Sequence, residues 1–188
     1  MKIVGISGSI IGSKTKIAMT HTMNKIKDNY SDAEVSLLDL ADYELPFSDG
    51  RNYLDYTGDA AHVLQTIMDA DALIIGTPIF QASIPATLKN IFDLLPVNAF
   101  RDKVVSIVVT AGSAKHYLIA EQQIKPILAY MKAQVVQTYV FIEAEDFLNK
   151  EIINDDVFFR IERLVEDTVM LTDTFTRIRE EKEASYDF

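Results

Sequence analysis

Glycines and hydroxyl side chains cluster in one short stretch near the start of the chain, and their spacing suits the binding of a phosphate. The stretch follows an apolar run and reads Ser7, Gly8, Ser9, Ile10, Ile11, Gly12, Ser13, Lys14 and Thr15. Helical spacing begins near Thr15. A turn of this type at a helix N-terminus offers unpaired backbone N–H groups, the positive end of the helix dipole and several hydroxyl donors. We therefore predict that a phosphate group binds here.

Three other interpretations of this turn fit less well. The dinucleotide fingerprint G-x-G-x-x-G is absent, because the glycines stand at positions 5, 8 and 12. An ATP-binding P-loop nearly matches from Gly8 to Thr15, but Ser13 replaces its second glycine, and a side chain there would obstruct the tight wrap around a triphosphate. A plain helix cap formed by Ser13 or Thr15 would explain one or two of the polar residues but not all of them.

Two more loops of small and polar residues follow apolar runs farther along the chain. The run at 72–76 does not alternate with polar residues, which indicates a strand buried on both faces. The loop after it contains Pro78, Ile79 and Phe80, of which the last two can face a flat ring. After the run at 104–109 come Thr110, Ala111, Gly112 and Ser113. Loops at the carboxyl ends of parallel strands converge on one crevice, so one phosphate and one planar ring, as in FMN, would fill it.

Strands and helices alternate along the sequence, which predicts a parallel sheet with helical crossovers. The apolar runs of strand length lie at 2–6, 35–38, 72–76, 104–109 and 135–142. Segments with helical spacing lie at 15–29, 58–69, 85–95, 114–132 and 156–182. The last helix would bury one face, formed by Val157, Ile161, Leu164, Val165, Thr168 and Leu171. The chain has 188 residues and no linker or repeat, so we expect one α/β domain over residues 1–188.

Composition excludes several classes of function. The net charge of −10 disfavours a nucleic acid or an anionic membrane as partner. The absence of cysteine excludes disulfides, thiolate metal sites and a cysteine nucleophile, so electron transfer would need a bound organic cofactor. His21 and His62 lack metal-ligand spacing, and we interpret both as structural. The N-terminal apolar run is too short for a signal peptide and no segment is long enough to span a membrane, so we expect a soluble cytoplasmic protein.

From Met1 to about Gln134 the chain resembles the NADPH-dependent FMN reductases of the flavodoxin-like fold, especially the members that supply reduced flavin to sulfonate monooxygenases. The shared residues are Ile6–Ser9, Gly76–Ser83, Leu88–Asn90, Asp93–Pro96, Thr110–Ser113, His116 and Lys125–Pro126. The resemblance implies a five-stranded parallel sheet of order 2-1-3-4-5, with helices on both faces. It implies a flavin phosphate bound by Ser7, Ser9, Ser13, Lys14 and Thr15. The ring would be lined by Pro78, Ile79, Phe80, Gln81 and Ser83 on one side, and by Thr110, Gly112 and Ser113 on the other.

The chain differs from the family pattern at several places. Ile10 and Ile11 stand where family members often have an Arg, which would leave Lys14 as the main positive charge for the phosphate. Phe80 replaces a common Tyr. Gln123 stands where some sulfonate-linked members have an inserted Tyr that accompanies a transiently bound flavin, which favours a retained FMN, but the sequence leaves both a prosthetic and a released flavin open.

The activity implied is hydride transfer from NADPH or NADH to flavin N5, with reduced flavin passed to a monooxygenase or electrons passed to a quinone or azo acceptor. No catalytic acid or base is assigned, and no metal. His116 follows the fourth-strand loop and could approach the pyrimidine edge of the flavin, but a lone His at such a place is more often a helix-end or core residue. The alternative is a non-catalytic FMN module for electron transfer or redox sensing. Steady-state NADPH oxidation would distinguish the two.

The resemblance also implies a homodimer or a dimer of dimers. Two segments carry more apolar residues than one sheet face needs, namely Ile91, Phe92, Leu94 and Leu95 in the first, and Tyr117, Leu118, Ile124, Ile127, Leu128 and Met131 in the second. The stretch from Asp39 to Gly58 is longer than an ordinary connection, and two interpretations stay open: a functional or interfacial loop, or a plain surface excursion.

Overall fold

The computed structural model describes residues 1–185 and shows a parallel sheet between two layers of helices. The last three residues of the predicted domain lie outside the described residues. The main sheet contains β1 Lys2–Ser7, β2 Glu34–Asp39, β3 Ala72–Pro78, β4 Val104–Ala111, β5 Gln134–Val135 and β6 Val140–Glu143. A separate antiparallel hairpin is formed by β7 Phe147–Leu148 and β8 Glu151–Ile152. The α-helices are α1 Lys14–Asn29, α2 Gly58–Met68, α3 Ala86–Leu94, α4 Lys125–Tyr130 and α5 Asp155–Ala184.

The strand order is β2-β1-β3-β4-β5, and every neighbouring pair is parallel. This confirms the predicted flavodoxin-like order. All residues of β3 and β4 are buried, as a strand covered by helices on both faces requires. The carboxyl ends of β1, β3 and β4 therefore meet at one edge of the sheet, and the loops that follow them lie side by side.

Two apolar cores cover the two faces of the sheet. On one face, α2, α3 and α4 pack over residues such as Ile75 and Val109. On the other face, α1 and α5 pack over residues such as Ile74 and Val108. The alternation of adjacent residues between the two cores follows from the period of two in a strand.

The fifth strand was predicted as one run over 135–142, but in the structure it is interrupted. It divides into β5, which pairs with the start of β4, and β6, which pairs with its end. Two residues between β5 and β6 form hydrogen bonds to the segment that follows β4. The Tyr139 hydroxyl donates to the Tyr117 carbonyl at 2.7 Å, and the Gln137 carbonyl accepts from Lys125 Nζ at 2.8 Å. The Gln137 carbonyl therefore has its hydrogen-bond partner outside the sheet.

The predicted helix at 114–132 is also wrong in part. The segment contains a 3₁₀ turn at Ala114–His116, a π-helical turn at Ala120–Ile124, and only then α4. Pro126 lies in the first turn of α4 and has no N–H group, so a regular α-helix cannot continue through it from the preceding residues. The π-helical turn precedes this proline directly.

The buried face of α5 contains Thr172 rather than the predicted Leu171. Leu171 is 42% exposed and Thr172 is 2% exposed. The Thr172 hydroxyl donates to the Thr168 carbonyl at 2.6 Å, which satisfies its hydrogen bond inside the core. The other predicted face residues, from Val157 to Thr168, are buried.

Most of the apolar residues that suggested a subunit interface are buried within the single chain. Ile91, Phe92, Leu94 and Leu95 of the α3 segment are buried, as are Ile124, Leu128 and Met131 of the second segment. Tyr117 and Leu118 are about half exposed. The excess of apolar surface is therefore much smaller than the sequence pattern indicated.

The long connection between β2 and α2 is anchored to α3. Asn90 Nδ2 donates to the Pro46 carbonyl at 2.9 Å, and Asn90 Oδ1 accepts from the Ser48 N–H at 3.0 Å. Two 3₁₀ turns, Leu40–Asp42 and Tyr53–Asp55, give the connection local structure. Among residues 1–185, the helices lack the combination of length and apolar character that crossing a bilayer needs.

Candidate flavin site

An open pocket lies at the carboxyl edge of the sheet, where the loops after β1, β3 and β4 meet. Its volume is about 350 Å³, within the range of small-ligand clefts. It is lined by Ile11, Gly12, Ser13, Lys14, Thr15, Pro78, Ile79, Phe80, Thr110, Ala111, Gly112 and Ala144. The pocket thus has one end at the start of α1 and another at the loops after β3 and β4.

The α1 end of the pocket is an uncapped helix N-terminus. Ser13 is the N-cap residue, but its side chain makes no capping hydrogen bond, and the first turn contains no acidic residue. The first intrahelical bond of this turn is donated by the Ile17 N–H to the Ser13 carbonyl, at 2.9 Å. The N–H groups of Lys14, Thr15 and Lys16 precede it and have no intrahelical acceptor. Such a terminus fits a phosphate in both charge and hydrogen-bond donors.

Two threonines join the α1 end of the pocket to the sheet. Thr15 Oγ1 and Thr110 Oγ1 are 2.7 Å apart, and both side chains are buried. One hydroxyl hydrogen forms the bond between them, so the other hydrogen is free to donate to a third oxygen. The pair therefore fixes the start of α1 against β4 and retains one donor for a ligand in the pocket.

Lys14 is the one ionisable side chain among the residues that line the pocket. In this structure its ammonium group points toward the segment after β6, where Nζ donates to the Ala144 carbonyl at 3.3 Å. It also lies 5.5 Å from the ring centroid of Phe147 in the β7–β8 hairpin. The Lys14 side chain is exposed.

The ring end of the pocket is formed by two loops that are bonded to each other. Pro78 at the end of β3 is paired in register with Thr110 in β4, and the Ile79 N–H donates to the Thr110 carbonyl at 3.0 Å. Phe80 is 42% exposed and stands at the rim. Gly112 lies opposite, and a Cβ atom added there would meet no atom within 4 Å. Ile79 and Phe80 form an apolar wall, and the open space at Gly112, which we call the shelf, is of the kind that fits a flat ring.

The pocket brings together eight of the thirteen predicted site residues, namely Ser13, Lys14, Thr15, Pro78, Ile79, Phe80, Thr110 and Gly112. Ser7 and Ser9 do not line it. Ser7 is fully buried in β1, and its Oγ has no hydrogen-bond partner within residues 1–185. Ser9 Oγ donates to the Ile11 carbonyl at 2.6 Å and shapes the phosphate loop locally.

Three further predicted residues also stand outside the lining. Gln81 is exposed on a tight turn, Ser83 Oγ donates to Gln123 Oε1 at 2.7 Å, and Ser113 is half-buried before a 3₁₀ turn. Conversely, Ile11, Gly12, Ala111 and Ala144 line the pocket but were not predicted. Ala144 follows β6, so the rule that ligands bind at the carboxyl ends of parallel strands would have found it.

The histidines do not contribute to the pocket. His21 packs against Phe158 with ring centroids 4.8 Å apart, and burial lowers the pKa of its imidazole. His62 lies near Tyr43 with centroids 5.8 Å apart, and His116 is half-buried beyond the Gly112 loop. In residues 1–185 no three His, Cys, Asp or Glu side chains come together as a metal-binding group. The lining of the pocket thus includes none of the three histidines.

Comparison with known proteins shows which family the chain is similar to. The family model for NADPH-dependent FMN reductases matches residues 1–146. A protein of Geobacillus thermodenitrificans named NAD(P)H-dependent FAD/FMN reductase is 38% identical over 170 residues, which is 90% of this chain and 92% of that protein. The NADH-dependent FMN reductase SfnF of Pseudomonas fluorescens is 27% identical over 86% of each chain.

Solved structures support the same fold. An NADH:FMN oxidoreductase (EMOB) in its apo form superposes with a TM-score of 0.71 at 24% identity, over 88% of this chain and 86% of that one. The NAD(P)H:acceptor oxidoreductase FerB of Paracoccus denitrificans also gives 0.71, at 17% identity, over 93% and 98% of the two chains. The match to the family model over most of the chain, together with the Geobacillus relative, shows that this protein belongs to the NADPH-dependent FMN reductase family.

Proposed function

We propose that this protein is an FMN reductase that uses NADPH or NADH as its reductant, with residues 1–188 acting as one flavin-binding domain. The observation that carries the proposal is the uncapped N-terminus of α1 beside an open apolar shelf. One end suits a phosphate and the other suits a flat ring, and FMN contains both. The family and the names of the relatives support the same activity.

Different residues of the pocket would hold the phosphate and the ring of FMN. Lys14, the first N–H groups of α1 and the Thr15–Thr110 pair would bind the phosphate and the nearby hydroxyls. Ile79 and Phe80 would face one side of the ring, and the small Gly112 leaves room on the shelf. FMN itself supplies hydride acceptance from the reduced nicotinamide at N5. The protein then needs no side-chain acid or base for this step.

The destination of the electrons is the finer part of the proposal. We propose delivery of reduced flavin to a partner monooxygenase, or reduction of a quinone or azo compound, in the cytoplasm. The first follows from the resemblance of residues 1–134 to reductases that supply reduced flavin to monooxygenases. For the second, FerB, which is named an NAD(P)H:acceptor oxidoreductase, shares the fold of this chain.

A spectroscopic titration tests the activity. The purified protein is expected to bind FMN, with a sharpened flavin absorbance band at about 450 nm. NADPH or NADH added under anaerobic conditions should bleach this band, because the flavin accepts the hydride. Riboflavin, which lacks the phosphate, is the matched control and should bind at least about tenfold more weakly. The visible spectrum of the protein as purified shows whether FMN is retained.

Two outcomes would contradict the proposal. If FMN does not bind, the pocket belongs to another ligand, and ATP would be tried next because of the P-loop-like sequence at Gly8 to Thr15. If FMN binds but neither nucleotide bleaches it, the protein is an electron carrier or sensor rather than a reductase.

Self-association is proposed as a homodimer or a dimer of dimers. A groove of about 520 Å³ between α3 and α4 supports it, with Val97 and Tyr130 exposed at its border. Sedimentation velocity at micromolar concentration should give a dimer or tetramer, because burying this apolar rim is favourable. A Tyr130→Lys variant should shift the distribution toward monomer, and a wild-type chain that sediments only as monomer would contradict the proposal.

A further inference from the structure

The loop that carries Phe80 ends in a tight two-residue turn with unfavourable backbone angles. Phe80 and Ser83 exchange two backbone hydrogen bonds, with N–H to carbonyl distances of 2.9 and 3.0 Å. The two residues between them, Gln81 and Ala82, have φ angles of +48° and +57°. This pattern is typical of a type I′ turn, which strongly prefers Asn and Gly at its centre. Here neither residue is Gly or Asn, so the turn needs support from its surroundings.

Gln123 supplies that support through its side-chain amide. Gln123 Oε1 accepts from Ser83 Oγ at 2.7 Å, and Gln123 Nε2 donates to the Ala82 carbonyl at 3.2 Å. One amide group therefore holds both a side chain and a backbone carbonyl of the turn. These are contacts across 40 and 41 residues of sequence, so they join two separate elements.

The helical geometry around Gln123 explains how its side chain reaches the turn. Gln123 lies in the π-helical turn Ala120–Ile124, immediately before α4. A π-helical turn rotates the side chains that follow it relative to a regular α-helix, and such turns often occur at functional sites. The neighbouring Gln122 has the same side chain but is exposed, whereas Gln123 is half-buried.

We propose that Gln123 is a positioning residue that holds the 80–83 turn, and with it Phe80, in the conformation that forms the ring wall of the pocket. The inference rests on the proposed binding of FMN, since Phe80 lines the same pocket as Lys14 and Gly112. Without the amide, the turn would relax from its left-handed angles, and Phe80 would lose its fixed place at the rim.

The first test needs no flavin. In the apo protein, the Phe80 and Ser83 amides of a Gln123→Leu variant should exchange hydrogen at least about tenfold faster than in the wild type, because the turn opens more often. Gln122→Leu, a change of the same kind one residue away, should leave both amides unchanged. Equal exchange in wild type and Gln123→Leu would overturn the proposal, whether or not FMN binds.

The second test measures FMN affinity and the visible circular dichroism of the bound flavin. Gln123→Leu should weaken FMN binding about tenfold and alter the dichroism, while its melting temperature stays within about 2 °C of the wild type. Adding Ala82→Gly should restore affinity to within about threefold, because glycine adopts positive φ without strain. A role confined to helix stability would not be rescued by a change in the turn.

The outcomes separate this proposal from the function itself. A wild type that binds no FMN removes the reductase proposal, while the exchange test still decides the role of Gln123. A wild type that binds FMN together with a Gln123→Leu variant of equal affinity overturns the positioning role. Should Gln123→Leu not fold, Ser83→Ala removes one of the two contacts from the other side, and faster exchange of the turn is again the expected result.

Discussion

Replacement of Gly112 by leucine is expected to abolish FMN binding while the protein remains folded. Gly112 lines the ring end of the pocket, and a Cβ atom there would meet no protein atom within 4 Å. The new side chain would therefore occupy the shelf that the flavin ring needs, without a clash inside the protein. We expect the dissociation constant for FMN to rise at least about 100-fold, or about 2.7 kcal/mol. Isothermal titration with FMN measures the effect.

A nearby change of the same size separates occlusion from general disturbance. Ala114 is exposed, lies two residues away and is not part of the pocket lining, so Ala114→Leu should bind FMN as the wild type does. Both variants should melt within about 2 °C of the wild type. If the Gly112→Leu variant bound FMN with unchanged affinity, the ring could not lie on this shelf.

Replacement of Gly76 by alanine is expected to destabilise the whole fold. Gly76 lies in β3, and a Cβ atom there would overlap Cγ and Sδ of Met19 and lie 3.3 Å from the Ile6 carbonyl oxygen. Met19 is fully buried in α1, so its side chain has little free space into which to move. Overpacking of this kind costs about 2 kcal/mol in the free energy of unfolding. Urea denaturation of the apo protein measures it.

The double variant supplies the control for this clash. Met19→Ala alone should destabilise the protein by about 3 kcal/mol, because it leaves a cavity. Adding Gly76→Ala to Met19→Ala should then cost almost nothing, since the new methyl group occupies the vacated space. A Gly76→Ala variant as stable as the wild type would show that α1 and β3 can separate without loss, contrary to the packing described here.

The parallel sheet and the place of the pocket were predictable because their sequence signals are strong. Unbroken apolar runs such as residues 72–76 have few alternatives to a buried strand. Glycine and hydroxyl residues directly after such runs mark the carboxyl edge. The resemblance to the family added the strand order, which five alternating strands and helices leave open.

Side-chain directions inside the loops were not predictable in the same way. The family resemblance implies that Gln81 and Ser83 contact the ring, but the left-handed angles at Gln81 and Ala82 reverse the chain and direct Ser83 to Gln123. Such angles in residues other than glycine leave no local signal. The choice of Thr172 over Leu171 for the core has a similar origin, because adjacent helix positions differ by only about 100° and a threonine can satisfy its own hydroxyl.

Helix α5 extends along the sheet from one edge to the other, so a residue near its C-terminal end lies far from the pocket. It begins at Asp155, after the β7–β8 hairpin, and at its other end Arg179 lies 3.8 Å from Asp102, just before β4. Exposed Glu180 is about 37 Å along the helix from its start. Because the chain has no cysteine, Glu180→Cys would create a single thiol for a fluorophore. Energy transfer between that dye and the flavin would then report cofactor loading in real time, from one substitution at the opposite edge of the sheet.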